Sequence, residues 1–99
     1  MNVLKVKGYI DKYQDYAKAG DAVFADACPM IVKNEMIAFD MSGLDGVSTV
    51  FLNTSFGQLI DMYGIERVKR SFKFSNILRS QAERIRKYFS DYSELSMTR

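Results

Sequence analysis

The stretch MIAFDMSGLDGVSTVFLNTSFGQLIDMYG, from Met36 to Gly64, limits the possible folds of this chain more than any other. It reads as a strand, a tight loop and a patterned helix. Ile37, Phe39 and Met41 face one way along the strand, and Met36, Ala38 and Asp40 the other. A strand apolar on both faces belongs inside a sheet. The SGLDGVS segment is turn chemistry, with two glycines, two serines and an aspartate. From Thr49 to Tyr63 the residues Leu52, Phe56, Leu59, Ile60 and Tyr63 fall on one face of a helix. Gly57 lies within that helix, where glycine costs about 1 kcal/mol relative to alanine. Its presence predicts close approach to the sheet or to Phe51. Gly64 is a natural stop.

The segments on either side extend the pattern. Arg67 to Phe74 alternates, with Val68, Arg70, Phe72 and Phe74 against Arg67, Lys69, Ser71 and Lys73. This predicts a strand with Phe72 and Phe74 buried and a cationic opposite face. A strand–helix–strand unit over residues 36–74 implies parallel strands joined by a right-handed crossover. Earlier, Val3 to Val6 is a short run of strand type. Tyr9, Tyr13 and Tyr16 then share one helical face in a short helix or ordered loop that Gly20 ends. Asp21 is a good N-cap for the next helix, which has Val23, Phe24, Ala27, Cys28, Ile31 and Val32 inward. Pro29 should kink or split that helix, and Asn34 should stop it. Ser75 and Asn76 are cap residues for a closing helix with Ile77, Leu78, Ala82, Ile85, Tyr88 and Phe89 inward. The expected fold class is α/β, a small mixed or parallel sheet of about four strands with helices packed mainly on one face. A single domain spans residues 1–99: an N-terminal strand and tyrosine-rich segment to residue 20, and a polar tail fraying from residue 93.

Composition removes several function classes. The chain has no histidine and one cysteine, Cys28. Histidine general acid/base chemistry, a Ser-His-Asp triad, a Cys-His pair, a structural zinc site and an internal disulfide are all excluded. Neither a Walker A loop nor a dinucleotide fingerprint is present, since Ser42-Gly43-Leu44-Asp45-Gly46 fits neither. The expectation is a non-enzyme without metal or cofactor. MNVLKVKGY lacks the apolar core of a signal peptide, and no run reaches transmembrane length. A cytoplasmic protein with no membrane partner is therefore expected.

Three groups of residues carry possible chemistry. Ser48 and Thr49 put two hydroxyls at the start of the central helix, where a cap oxygen or an added phosphate meets the positive end of the dipole. Asp40, at the C-terminal end of a strand, stands where α/β folds place ligand sites. Asp45 suits the turn. The third group is basic. Between Arg67 and Lys87 there are eight lysines and arginines against Glu83 alone, although the whole chain is only +2. Arg67, Lys69, Arg70, Lys73, Arg79 and Arg84 are the contacts a nucleic acid would use. A solvated face accounts for them better, because no binding motif or exposed aromatic run accompanies them. An acidic protein partner would also fit.

The segment AFDMSGLDGVSTVFLNTSFGQL resembles the central part of STAS domains, the fold of sulfate-transporter and anti-sigma-factor-antagonist domains. It is closer to a small STAS-like group of uncharacterised function. The shared residues are the turn Asp40-Met41-Ser42-Gly43, the helix core Phe51-Leu52, Phe56-Gly57 and Leu59, the earlier Pro29, and the strand end Phe72, Phe74 and Asn76. The likeness covers roughly residues 21–90. It implies a non-catalytic regulatory module that switches partners, with a kinase of the histidine-kinase-like ATPase type among them. In the antagonists that kinase phosphorylates a serine at this helix start. Thr49 takes the place of that serine, and Ser48 the place of the aspartate before it. Val50 and Phe51 replace the serine and glycine that follow. The implied contact surface is the loop and helix start, with Asp45, Val47, Val50, Asn53 and Thr54 beside the two hydroxyls. Self-association is left open.

Overall fold

The computed structural model describes residues 2–97, with side chains described for residues 2–92. Three short parallel strands form one sheet in the order β1 (Asn2–Lys5), β2 (Ile37–Asp40), β3 (Phe72–Ser75). The sequence suggested about four. Each of the three strand segments in the sequence supplies one strand, and the described residues hold no fourth. The alternating run 67–74 is strand only at its end: Ile65–Ser71 is helical and Phe72–Ser75 is extended. Arg67, Lys69 and Arg70 therefore lie on a helix and not on the cationic face of a strand. Glu66 in the first turn and Lys69 and Arg70 in the last match the helix dipole, which favours helix over strand here.

β2 is the central strand, as its apolar character requires. Leu4, Ile37, Phe39 and Phe72 are buried on one face. The other face carries Val3, Lys5, Ala38, Asp40, Lys73 and Ser75, of which only Ala38 is buried. The helices thus cover mainly one face.

The first helix, α1 (Val6–Tyr13), follows β1 without a loop and ends at Gln14, whose φ of 51° is left-handed. Asp15 caps α2 (Tyr16–Val32), accepting from the Lys18 N–H at 3.0 Å. So Gly20 and Asp21 lie inside a helix and do not end or cap one. Pro29 falls in the last turns of α2 and does not split it. Proline there forgoes its own N–H bond to the Ala25 carbonyl, and the helix continues for three residues beyond it. Asn34 does turn the chain out, at φ 59°.

The central helix runs as α3 (Thr49–Leu52), a π turn (Asn53–Gly57) and α4 (Gln58–Tyr63), with right-handed helical dihedrals across both junctions. A π turn changes the backbone ladder from i→i+4 to i→i+5 bonds. Side chains of the same segment add bonds to its carbonyls. Thr54 donates to the Val50 carbonyl at 2.9 Å, Ser55 to the Phe51 carbonyl at 2.6 Å, and Gln58 to the Thr54 carbonyl at 2.6 Å. The turn packs against α2 at Gly20. A Cβ there would overlap the Thr54 hydroxyl and stand 2.9 Å from the Phe51 carbonyl oxygen. Gly57 is explained differently from the sequence expectation. Its neighbours are the hydroxyls of Tyr88 and Tyr92, 2.7 and 2.9 Å from where its Cβ would be, and not the sheet or Phe51.

After α5 (Ile65–Ser71) and β3, the closing helix α6 runs Arg79–Met97. Ser75 and Asn76 do not cap it. Leu78 takes that place, its carbonyl accepting from the Ala82 N–H at 2.9 Å, and the Gln81 side chain reaches back to the Leu78 N–H. Where a fraying tail is expected from residue 93, the backbone continues as helix to Met97, and residues 98–99 lie outside the described residues.

Phenylalanines join the layers. Phe39 meets Phe56 at 5.0 Å and Phe72 at 4.6 Å between ring centroids, while Phe56 stacks on Phe89 at 6.1 Å. Such pairs add about 0.5–1.5 kcal/mol each beyond the area they bury. They fix the central helix against the sheet and α6, and so fix where the loop before that helix can go.

Candidate functional site

The three parallel strands end together at Lys5, Asp40 and Ser75, and the loop over residues 41–48 leaves from this edge. Asp40 anchors it. One carboxylate oxygen accepts from the Ser42 N–H and from Asn76 Nδ2, each at 3.0 Å. The bonds from Asn76 and then Ser42 hold its pKa below the ordinary carboxylate value. Asp40 therefore ties the ends of β2 and β3 together.

Gln81 holds the other end of the loop. Its side chain is buried, with 1% of its surface exposed. Its Nε2 donates to the carbonyls of Leu44 and Gly46, at 3.0 and 3.2 Å, and its Oε1 accepts from Leu78 N–H at 2.9 Å. One amide thus satisfies three backbone groups on two elements. The sequence reading missed it. Its signal was local: a glutamine three residues after the cap residue Leu78.

Ser48 and Thr49 have separate environments. Ser48 is half-buried, and its hydroxyl accepts from the Phe51 N–H at 3.3 Å as the N-cap of the central helix. Thr49 is exposed, and the guanidinium of Arg84 on α6 donates to its hydroxyl. The sequence offers Arg84 only as a nucleic-acid contact. No spacing along the chain could have joined residues on two separate helices.

The loop, the start of α1 and the start of α2 enclose a cleft of about 440 Å³. Val6, Ile10, Met41, Leu44, Val47 and Phe51 supply its apolar lining. Asp45 and Ser48 also border it, and Val50, half exposed, lies outside it. The structure thus groups Asp45, Val47, Ser48, Thr49 and Val50 at one edge. Asn53 and Thr54 are committed elsewhere. The Asn53 side-chain oxygen accepts from the Tyr88 hydroxyl at 2.9 Å, and Thr54 turns back on its own helix beside Gly20.

The basic residues do not form one stripe. On α5, Arg67 donates to the Ile31 carbonyl at 3.0 Å and lies over the Tyr63 ring. Arg79 pairs with Glu83, and Arg84 is at Thr49. Lys69, Arg70 and Lys73 are exposed. Among the described residues no group of three or more acidic, cysteine or histidine side chains is placed to hold a metal. Nor is any helix among them long and apolar enough to cross a membrane.

Residues 20–80, more than half of the chain, match the family described as a STAS-like domain of unknown function. The chain belongs to that family. The matched span of this STAS-like domain runs from the α2 glycine that accepts the π turn, through the loop and Thr49, to the start of α6. The small parallel sheet with helices agrees with the family's fold. A search of curated proteins and one of solved structures found no match.

Proposed function

We propose that this STAS-like domain is a non-catalytic regulatory module whose partner docks on the edge formed by Asp45, Val47, Val50 and the start of α3. Thr49 is the phosphoacceptor that switches this docking. One observation carries the reading: of the two hydroxyls, Ser48 is engaged as a helix cap while Thr49 is exposed beside a guanidinium. A phosphate on Thr49 would gain a charge-assisted bond from Arg84 and lie near the positive end of the central helix. It would also put a near-dianion beside the exposed apolar Val50, against any apolar surface docked there. The resemblance to anti-sigma-factor antagonists supports a histidine-kinase-like ATPase as the partner that phosphorylates it.

The test is incubation with ATP and such a kinase from the same cell, followed by intact-mass and fragment analysis. The reading expects a gain of about 80 Da, one phosphoryl group, located at Thr49. It is abandoned if Thr49→Ala and Ser48→Ala leave both phosphorylation and partner binding unchanged.

A further inference from the structure

Among the described residues β3 is an edge strand, paired with β2 alone. The Ser75 carbonyl accepts from Met41 N–H on the β2 side. Backbone groups alternate in direction along a strand, so Phe74 turns its N–H and C=O away from β2, toward the open edge. Beside that edge, between β3, α5 and α6, runs an apolar groove of about 290 Å³. Phe74, Ile77, Ala82 and Ile85 line it, and Lys69 and Arg86 stand at its rim. Lys73 projects from the same strand onto the opposite, open face of the sheet. Among the described residues none of these three cations has a salt-bridge partner, whereas Lys7, Arg79 and Lys87 each have one.

We propose that this edge binds an extended acidic segment of a partner protein, which adds to the sheet as a fourth strand. The segment alternates apolar and acidic residues. Its apolar side chains enter the groove on one face and its alternating carboxylates meet Lys73 on the other, while acidic residues flanking the segment reach Lys69 and Arg86 at the ends of the groove. Main-chain bonds to Phe74 supply affinity, and the alternation supplies specificity. Charge decides the occupant. A second copy pairing through the same edge would bring Lys69, Lys73 and Arg86 of both chains together, which repels. The other edge, β1, offers no such groove: its neighbouring hollow mixes Lys5, Lys12 and Asp26. The site uses none of residues 45–50, so it stands apart from the switch at Thr49.

The probes are short fluorescent peptides with Val, Ile, Leu or Phe at alternate positions, Glu between them and two Glu at each end, read by fluorescence polarisation. Binding is expected to weaken with salt and to vanish when Lys replaces Glu. Combining Lys69→Glu with Arg86→Glu should weaken it about tenfold. Methylating alternate peptide amides should abolish it in one register only, and the Phe74 amide should gain hydrogen-exchange protection. Lack of binding by every acidic peptide at low salt overturns the proposal, as does equal binding of the Lys peptides. Single-stranded RNA or DNA binding through the same three cations, or self-association through β3, would replace it with a different occupant.

Discussion

Arg84, in the second turn of α6, donates a hydrogen bond to the hydroxyl of Thr49 at the first position of the central helix, 35 residues earlier in the chain. The contact joins the last helix to the candidate switch position. It is a surface contact, so its meaning for stability and for function can be separated.

For the unmodified protein, Arg84→Ala should change unfolding free energy by less than about 0.5 kcal/mol, since exposed polar contacts contribute little. Urea unfolding checks this. The phosphorylated protein should differ, because there the guanidinium faces a near-dianion. Removing Arg84 should then lower the melting temperature measurably.

Gln81 is a stronger structural element. Gln81→Leu keeps the size but leaves the Leu78 N–H and the Leu44 and Gly46 carbonyls without their partner. The expected loss is about 2–3 kcal/mol by urea unfolding. Hydrogen exchange should rise at Leu78, and the loop over 44–46 should become more accessible to protease. A loss under about 0.5 kcal/mol would mean that solvent replaces the amide and that the loop is held by other contacts.

Gly20→Ala should destabilise by about 1–3 kcal/mol, the usual cost of overpacking. Adding Thr54→Ala should rescue only part of this, because the Phe51 carbonyl oxygen, 2.9 Å from the new Cβ, belongs to backbone that cannot move aside freely. The double-mutant cycle gives the coupling. Full rescue would show that α2 and the π turn can separate without cost.

Asp40 should make the protein sensitive to acid. Its carboxylate is favoured in the folded state by Asn76 and Ser42, so the folded pKa lies below the unfolded value of about 3.9. The stabilisation is complete above that unfolded value. It is lost as pH falls through the lower folded value. Asp40→Asn removes this dependence, so the gap in melting temperature between the two proteins should narrow on acidification. An NMR titration of the Asp40 carboxyl with a midpoint at or above the ordinary value would contradict the assignment.

Much of the fold was legible because its signals are local. Ile37 and Phe39 announced a central strand, and Leu52, Phe56 and Leu59 a buried helix face. The run 67–74 misled because a short alternation fits either period. Val68 is buried from a helix and Phe72 from a strand, yet both fell on one predicted face. Gly20 looked like a stop because glycine ends helices, but here it serves close packing of α2 on the π turn. At the site, Ser48 and Thr49 were readable as two hydroxyls at a helix start, but the division into a cap and an exposed neighbour was not. Gln81 left a local trace in its spacing from Leu78, but its bonds to Leu44 and Gly46 and that of Arg84 to Thr49 join separate elements, and only the tertiary fold brings them together.

The central claim is that Thr49 is the position through which this domain is switched. The most direct measurement is site-resolved phosphate occupancy after reaction with ATP and a histidine-kinase-like ATPase from the same cell. A single phosphoryl group on Thr49, absent in Thr49→Ala and retained in Ser48→Ala, is the predicted result. Phosphate on another residue, or none while the kinase modifies a known substrate beside it, would contradict the account.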